Sequence, residues 1–191
     1  MPRKVDHRER RELLADALMR LAATRGLEAV SLRHVAAEAG VSTGMVQHYF
    51  RTKDEMMGFA LEMVMDRIEE RSRAALTPGS PREIVRALLL QILPLDETRR
   101  LEGHVGLAFL AYAAVKPAMA VGLREAADGM RGFLADQVRA AAGPGVDPDR
   151  AATGLLALVD GLGLQLLSRQ FGEEDAVAAL DAQLDLVFGQ F

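Results

Sequence analysis

The chain has 191 residues, half of them hydrophobic, with no cysteine and a formal net charge of −4. A chain of this length can bury a substantial core in one large or two small domains, and its abundant Ala and Leu favour an all-helical protein. The lack of cysteine excludes a disulfide scaffold and a thiolate metal site, and it fits a cytoplasmic protein.

The N-terminal region is charged and amphipathic, so no signal peptide is expected. Residues 1–6 are predicted to form a short disordered arm, followed by a helix from about His7 to Arg25 that Gly26 ends. No membrane span is expected either. The longest apolar run, 155–167, is too short to cross a bilayer and contains Asp160.

Residues 28–55 predict a helix, a tight turn, a second short helix and the capped start of a third helix. Ser31 can cap the first of these helices, and Gly40 suits its left-handed C-terminal end. Ser42 can then cap the second helix, Thr43–Tyr49. The first helix has one apolar face, formed by Leu32, Val35, Ala36 and Ala39. This is the arrangement of a DNA-binding helix-turn-helix, whose second helix enters the major groove.

A bulky apolar residue, Phe50, follows the short helix. Thr52 and Glu55 then have the spacing of a capping box. This box opens a helix rich in Met and Leu, which starts at Lys53 and is predicted to reach about Leu76.

Proline- and glycine-containing breaks divide the rest of the chain into helices. The predicted spans are 81–93, one or two helices over 96–115, then 117–142, 148–169 and 173–189. We therefore predict about nine helices and no strand. Residues 1–52 are predicted to form the DNA-binding domain, and residues 53–191 a second, helical domain.

Charge is distributed unevenly along the chain. Residues 1–53 contain ten Lys/Arg and six Asp/Glu, whereas residues 54–191 contain thirteen and twenty-one. A basic N-terminal region on an acidic body suits a protein that contacts phosphate through its N-terminal region alone.

Several short motifs resemble those of one family of transcriptional repressors. Ala39-Gly40-Val41-Ser42, Gly44, Tyr49-Phe50 and Lys53-Asp54 closely resemble the N-terminal domain of the TetR family. Further along the chain, Leu93–Glu97, Ala108–Ala111 and Leu158–Leu162 resemble the BetI-like branch of that family, as does Val46–Phe50.

The resemblance implies an all-α fold, with an N-terminal three-helix DNA-binding domain and a C-terminal helical domain that binds a ligand and dimerises. It further implies a homodimeric repressor that a small-molecule effector releases from a palindromic operator, with no cofactor.

Gln47 is the first candidate for reading a base, because its amide can pair with N6 and N7 of adenine. Gly44 either allows the backbone to approach DNA or relieves crowding at the helix start. Met45 can contact a base methyl or join the core, and Tyr49 can meet phosphate or serve in packing. The other predicted contacts to double-stranded DNA are Ser31, Arg33, Thr43, His48 and Lys53.

The last two helices carry apolar stripes, and in the family this pair of helices forms the dimer interface. The residues predicted for the interface are Leu155, Leu158, Leu162, Val177, Leu180, Leu184 and Phe188. The alternative is that both helices simply close a monomeric core.

The resemblance also implies an effector pocket in the body, roofed by the fourth helix. The candidate lining residues are Met57, Met63, Glu102, His104, Phe109, Tyr112, Phe133 and Asp160. The Met and Phe residues can equally belong to the core. A buried Glu102 or Asp160 would need a partner, either an arginine such as Arg99 or Arg100 or a cationic ligand.

The identity of the effector is left open by these residues. The BetI-like resemblance implies a choline-like cation, for which proteins use aromatic cages. This chain has nine aromatic residues and no Trp, so a polyamine or an apolar metabolite fits as well.

Two other functions compete with this one. A helical-bundle enzyme is disfavoured because the four histidines are scattered, and no nucleophile, phosphate-loop or metal motif is present. An architectural DNA-binding protein without an effector would need a more basic body.

Overall fold

The computed structural model describes residues 3–26, 30–116, 120–143 and 145–189, with side chains from residue 7 onward. Over these residues the chain forms nine α-helices and no strand. They are α1 Arg3–Arg25, α2 Leu32–Glu38, α3 Thr43–Tyr49, α4 Lys53–Ala75, α5 Pro81–Ile92, α6 Glu97–Val115, α7 Val121–Ala141, α8 Pro148–Leu167 and α9 Glu173–Phe188. The prediction of an all-helical fold is confirmed.

Most helix ends lie within two residues of their predicted positions, but two starts differ. α1 already begins at Arg3, so the predicted disordered arm is wrong for residues 3–6. After Pro2 the sequence contains no helix-breaking residue, and nothing prevents the helix from extending. α7 begins at Val121 rather than at Pro117, which lies outside the described residues.

Contacts divide the described chain into two compact units. Unit 1 comprises the described residues up to Arg67 together with His104–Lys116, and unit 2 comprises Ile68–Gly103 together with the described residues from 120 onward. The predicted domain boundary between residues 52 and 53 divides the chain by expected function, whereas the two units are defined by packing contacts. The boundary therefore stays a prediction.

In unit 1, α1, α2 and α3 pack on one another and on the start of α4. Their shared core contains Leu14, Leu18, Val35, Val46, Phe50 and Met56, all of which are almost fully buried. The guanidinium of Arg11 lies over the rings of Phe50 and Phe59, 4.7 and 4.2 Å from their centroids. The start of α4 is thereby attached to α1 as well as to the turn that precedes it.

In unit 2, α5, α7, α8 and α9 surround a single apolar core. Five of the seven residues predicted for a dimer interface belong to this core, so for them the prediction is wrong. They are Leu155, Leu162, Leu180, Leu184 and Phe188. Their stripes are covered by helices of the same chain. Leu158 and Val177 are half-buried and stay predictions.

By length and composition, α8 is the one described helix that could cross a membrane. Core helices of soluble proteins pass the same test, and five side chains of α8 are buried inside unit 2.

Candidate nucleic-acid interface and effector region

The turn between α2 and α3 is fixed by backbone and serine caps. The N–H of Val41 donates to the carbonyl of Ala36 (2.9 Å), and Gly40 adopts the left-handed conformation with φ +67°. This is a Schellman ending, for which glycine is suited. Ser42 Oγ then accepts from the N–H of Met45 (3.2 Å) and caps α3. The predicted caps of the helix-turn-helix are confirmed.

α3 presents one buried side chain and a broad exposed surface. Val46 is buried in the core of unit 1. Five of the nine predicted DNA contacts lie exposed on the rest of this short helix: Thr43, Gly44, Met45, Gln47 and His48. Because Val46 anchors the opposite side, the exposed side chains are held in fixed positions relative to the core.

Tyr49 is half-buried at the end of α3. Its ring makes edge contacts with His7 of α1, at 4.8 Å between centroids, and with His48, at 5.1 Å. The packing role that the sequence left open for Tyr49 is therefore present, and it brings α1 next to the end of α3.

Two other helix starts in unit 1 carry predicted DNA contacts. Ser31 Oγ caps α2 by accepting from the N–H of His34 (3.2 Å), and Arg33 is exposed in the first turn. At α4, Thr52 Oγ1 accepts from the N–H of Glu55 (3.0 Å). Lys53, the first residue of α4, is half-buried. Such helix starts attract phosphate because their N–H groups and dipoles are positive.

The second residue of α4, Asp54, contacts the end of α6. Tyr112 donates its hydroxyl to Asp54 Oδ1 (2.6 Å), and Lys116 Nζ lies 3.2 Å from Oδ2. Lys116 also contacts the Tyr112 hydroxyl and lies 4.5 Å from the ring centroid. Sequence analysis missed Asp54 and Lys116, and it assigned Tyr112 to the effector pocket. No local signal predicts the contact, because the partners are about sixty residues apart in the chain.

Five of the predicted effector-lining residues lie in unit 1. Met57 and Phe109 are almost fully buried, as the core alternative would have it, and His104 is half-buried. Met63 lines a groove of about 540 Å³ that contains none of the other seven candidates. The groove is lined by His7, Arg8, Arg11, Phe59, Glu62, Met63 and Asp66.

In unit 2, Glu102 is only 4% exposed, and Arg71 binds both of its carboxylate oxygens, at 2.7 and 3.1 Å. The expected arginine partner is present, but it is Arg71 and not Arg99 or Arg100, the two examples that the sequence suggested. Arg99 pairs instead with Asp96 (2.8 Å). Since a fork-shaped guanidinium already neutralises Glu102, its charge is not available to attract a cation without breaking a buried pair.

The other two candidates in unit 2 are exposed. Phe133 lies on α7 with 37% of its surface accessible. Asp160 is exposed on α8, and partial desolvation by the protein around it raises the pKa of its carboxyl above the ordinary aspartate value.

Within the described ranges, no three acidic or histidine side chains converge as metal ligands would. Among the described residues, the exposed surface of α3 on its buried Val46 anchor is the best-defined candidate site.

Two family patterns match the chain. The one described as bacterial regulatory proteins, tetR family, covers residues 14–58, and the one described as BetI-type transcriptional repressor, C-terminal, covers residues 81–189.

Among curated relatives, the HTH-type transcriptional regulator PksA of Bacillus subtilis is 37% identical over 174 residues, which cover 87% of this chain and 83% of that protein. The HTH-type transcriptional regulator BetI of Rhizobium meliloti is 30% identical over 154 residues, covering 80% and 75%.

Solved structures give the same picture. A transcriptional regulator from Rhodococcus sp. Rha1 superposes with a TM-score of 0.87 at 39% identity, covering 94% of this chain and 96% of that one. A regulator from Saccharomonospora viridis, solved in complex with choline, has a TM-score of 0.85 at 26% identity, covering 93% and 96%.

Proposed function

Because the chain belongs to the TetR family of DNA-binding transcriptional regulators, in its BetI-type branch, we propose that it is a homodimeric repressor whose α3 reads a palindromic operator. Binding of a small molecule releases it from that operator. The observation that carries the proposal is the exposed surface of α3 on a buried Val46 anchor, together with the capped starts of α2 and α4.

Gly44 supports a close approach of α3 to DNA. A Cβ built on this residue would find its nearest neighbour at 3.9 Å, so the protein itself has room for an alanine. Glycine is therefore not needed to relieve crowding, the other explanation that the sequence allowed. We assign it to the contact with the DNA backbone, where a side chain would stand between the helix and a phosphate.

The dimer contacts are assigned to the outward faces of α8 and α9. Leu164 of α8 is 48% exposed and Leu186 of α9 is 58% exposed. Small exposed residues lie on the same faces: Ala157, Ala178 and Ala182. Exposed apolar surface of this kind marks interaction sites, and small residues let two helices approach closely. A protein that acts on the chromosome in this way works in the cytoplasm, and we assign it no catalytic role.

Gln47→Ala is expected to cost about 1–3 kcal/mol on the operator and to relax the preference at one base pair per half-site. Lys53→Ala should instead weaken binding to every duplex and make log K less steeply dependent on log salt, because a phosphate contact is lost. The measurement is duplex affinity on matched and scrambled sequences at two salt concentrations.

The operator itself is first obtained by selection from random duplexes. Arg139→Ala, on an exposed part of α7, is the control for removing a surface charge. It should leave both the operator affinity and its salt dependence unchanged. Equal loss on all sequences for Gln47→Ala would show that this residue does not read a base.

The effector is proposed to be a small molecule, either a cation such as a choline-like compound or a polyamine, or an apolar metabolite. The choline complex of the Saccharomonospora viridis regulator supports a cation. Among the two carboxylates first considered, Asp160 is the better candidate, because Glu102 is held by Arg71.

If the effector is a cation, Asp160→Asn should shift the choline or spermidine concentration that releases operator DNA upward by at least about tenfold, as expected for losing a charge-assisted contact. Folding disfavours the charged form of Asp160, since its pKa is raised, so this substitution should not destabilise the protein at neutral pH. Release curves measured by fluorescence anisotropy give the comparison. Unchanged curves would remove Asp160 from the pocket, and the absence of release by either cation would favour an apolar effector.

A further inference from the structure

Three side chains of unit 1 join the first turn of α4 to the end of α6. Both carboxylate oxygens of Asp54 are occupied, one by the hydroxyl of Tyr112 at 2.6 Å and the other by the ammonium of Lys116 at 3.2 Å. The ammonium also lies over the Tyr112 ring, 4.5 Å from its centroid. Each of the three residues therefore touches the other two.

The bonds of this network are of the stronger, charge-assisted kind. The Tyr112 hydroxyl, followed by Lys116, holds the pKa of the Asp54 carboxyl below its ordinary value, and the same partners raise the pKa of Lys116. Asp54 remains a carboxylate and Lys116 an ammonium at neutral pH, so the attraction between α4 and α6 persists under physiological conditions.

The place of this network in the chain gives it significance for DNA binding. Asp54 directly follows Lys53, at the helix start assigned above to a phosphate. A carboxylate next to a phosphate contact repels the phosphate unless its charge is compensated. The Lys116 ammonium supplies that compensation, the Tyr112 hydroxyl holds the carboxylate by a hydrogen bond, and together they fix the direction in which the first turn of α4 points.

We propose that Tyr112 and Lys116 are positioning residues for operator binding. By holding Asp54, they place the first turn of α4 so that Lys53 meets a DNA phosphate, and they offset the negative charge beside it. The proposal rests on the phosphate contact assigned to Lys53 in the proposed function. It also gives Tyr112 a role in unit 1 that differs from lining an effector pocket.

The test is a double-mutant cycle read out as operator affinity. Tyr112→Phe removes a single hydroxyl and should weaken operator binding by about three- to tenfold, the range that one hydrogen bond supports. In a Lys53→Ala background the same change should weaken binding less than about twofold, because the contact that Tyr112 positions is already gone. In a Gln47→Ala background, Tyr112→Phe should again weaken operator binding by the full factor of about three to ten, because the Lys53 contact is intact there.

The salt dependence and Lys116 provide independent measurements. Tyr112→Phe should make the dependence of log K on log salt less steep, in the direction of Lys53→Ala. Lys116→Met should behave like Tyr112→Phe, whereas Lys116→Arg, which keeps the charge, should retain most of the affinity. Thermal unfolding of each variant, followed by circular dichroism, shows whether an effect comes from loss of folded protein.

The outcomes separate this inference from the proposed function. If Lys53→Ala weakens binding but Tyr112→Phe adds its full effect on top of it, Tyr112 acts independently and the inference is overturned while the Lys53 contact stands. If Lys53→Ala changes neither affinity nor salt dependence, the phosphate contact itself is wrong, and the positioning role is overturned with it.

Discussion

Leu184→Arg is expected to unfold the core of unit 2. The Leu184 side chain has no exposed surface and packs within the cluster formed by α5, α7, α8 and α9. An arginine there loses the apolar contacts of the leucine and places an unpaired charge away from water. Together these effects cost at least about 4–5 kcal/mol. Since a whole domain is typically stable by only about 5–15 kcal/mol, this cost is at least about a third of that stability and would unfold a domain near the lower end of the range. Far-UV circular dichroism in a urea titration measures the change.

A conservative substitution at the same position separates the effect of charge from that of shape. Leu184→Met keeps the volume and apolarity, and it should cost less than about 1.5 kcal/mol. A Leu184→Arg protein with the unfolding midpoint of the wild type would show that this side chain is not in the core.

The helix-turn-helix could be predicted from sequence because its signals are local. Gly40 and Ser42 terminate and start helices through contacts within a few residues, and the structure contains those bonds. The apolar face predicted for α2 likewise follows from a single helix, and Val35 and Ala36 on that face are buried. Features that depend on three to five neighbouring residues were therefore predicted correctly.

The dimer face could not be predicted in the same way. An apolar stripe shows that one side of a helix is covered, but it does not show whether the cover comes from the same chain or from another copy. In α9 the stripe with Leu180 and Leu184 faces the core of unit 2, while Leu186 faces outward. The buried stripe and the proposed interface therefore lie on different faces of the same helix.

Long-range polar pairs also escaped prediction. Glu102 was expected to pair with a neighbouring arginine, yet Arg71 binds it from 31 residues away. The Tyr112–Asp54 bond spans 58 residues. The positions of residues along the chain do not predict such pairs, because the packing of the helices decides which side chains come into contact. The effector-lining residues were predicted from the sequence in the same way, without knowledge of the packing. The structure places five of them in unit 1 and three in unit 2.

Leu186→Arg, two residues from the core position, is expected to have a different outcome from Leu184→Arg. Leu186 is 58% exposed in the single chain, so an arginine there finds water, and the helix content of the folded chain should stay unchanged. Between two copies, however, it would bury a charge in the proposed apolar contact. We expect the mass in solution, measured by light scattering, to fall from that of a dimer to that of a monomer.

Loss of the dimer should weaken operator binding strongly, because a dimer holds its second helix-turn-helix at a high effective concentration next to the second half-site. Linking two binding modules raises overall affinity by about 10²–10⁴-fold, so the monomer should bind the full operator at least about a hundredfold more weakly. Its affinity for an isolated half-site should remain that of one wild-type subunit. Leu110→Arg, at a leucine that is 51% exposed on α6 in unit 1, is the matched control and should leave the mass unchanged. If Leu186→Arg remained dimeric while Leu110→Arg dissociated, the interface would lie on α6. Dissociation by Leu186→Arg alone would place the interface on the outward face of α9, opposite the core that Leu184 fills.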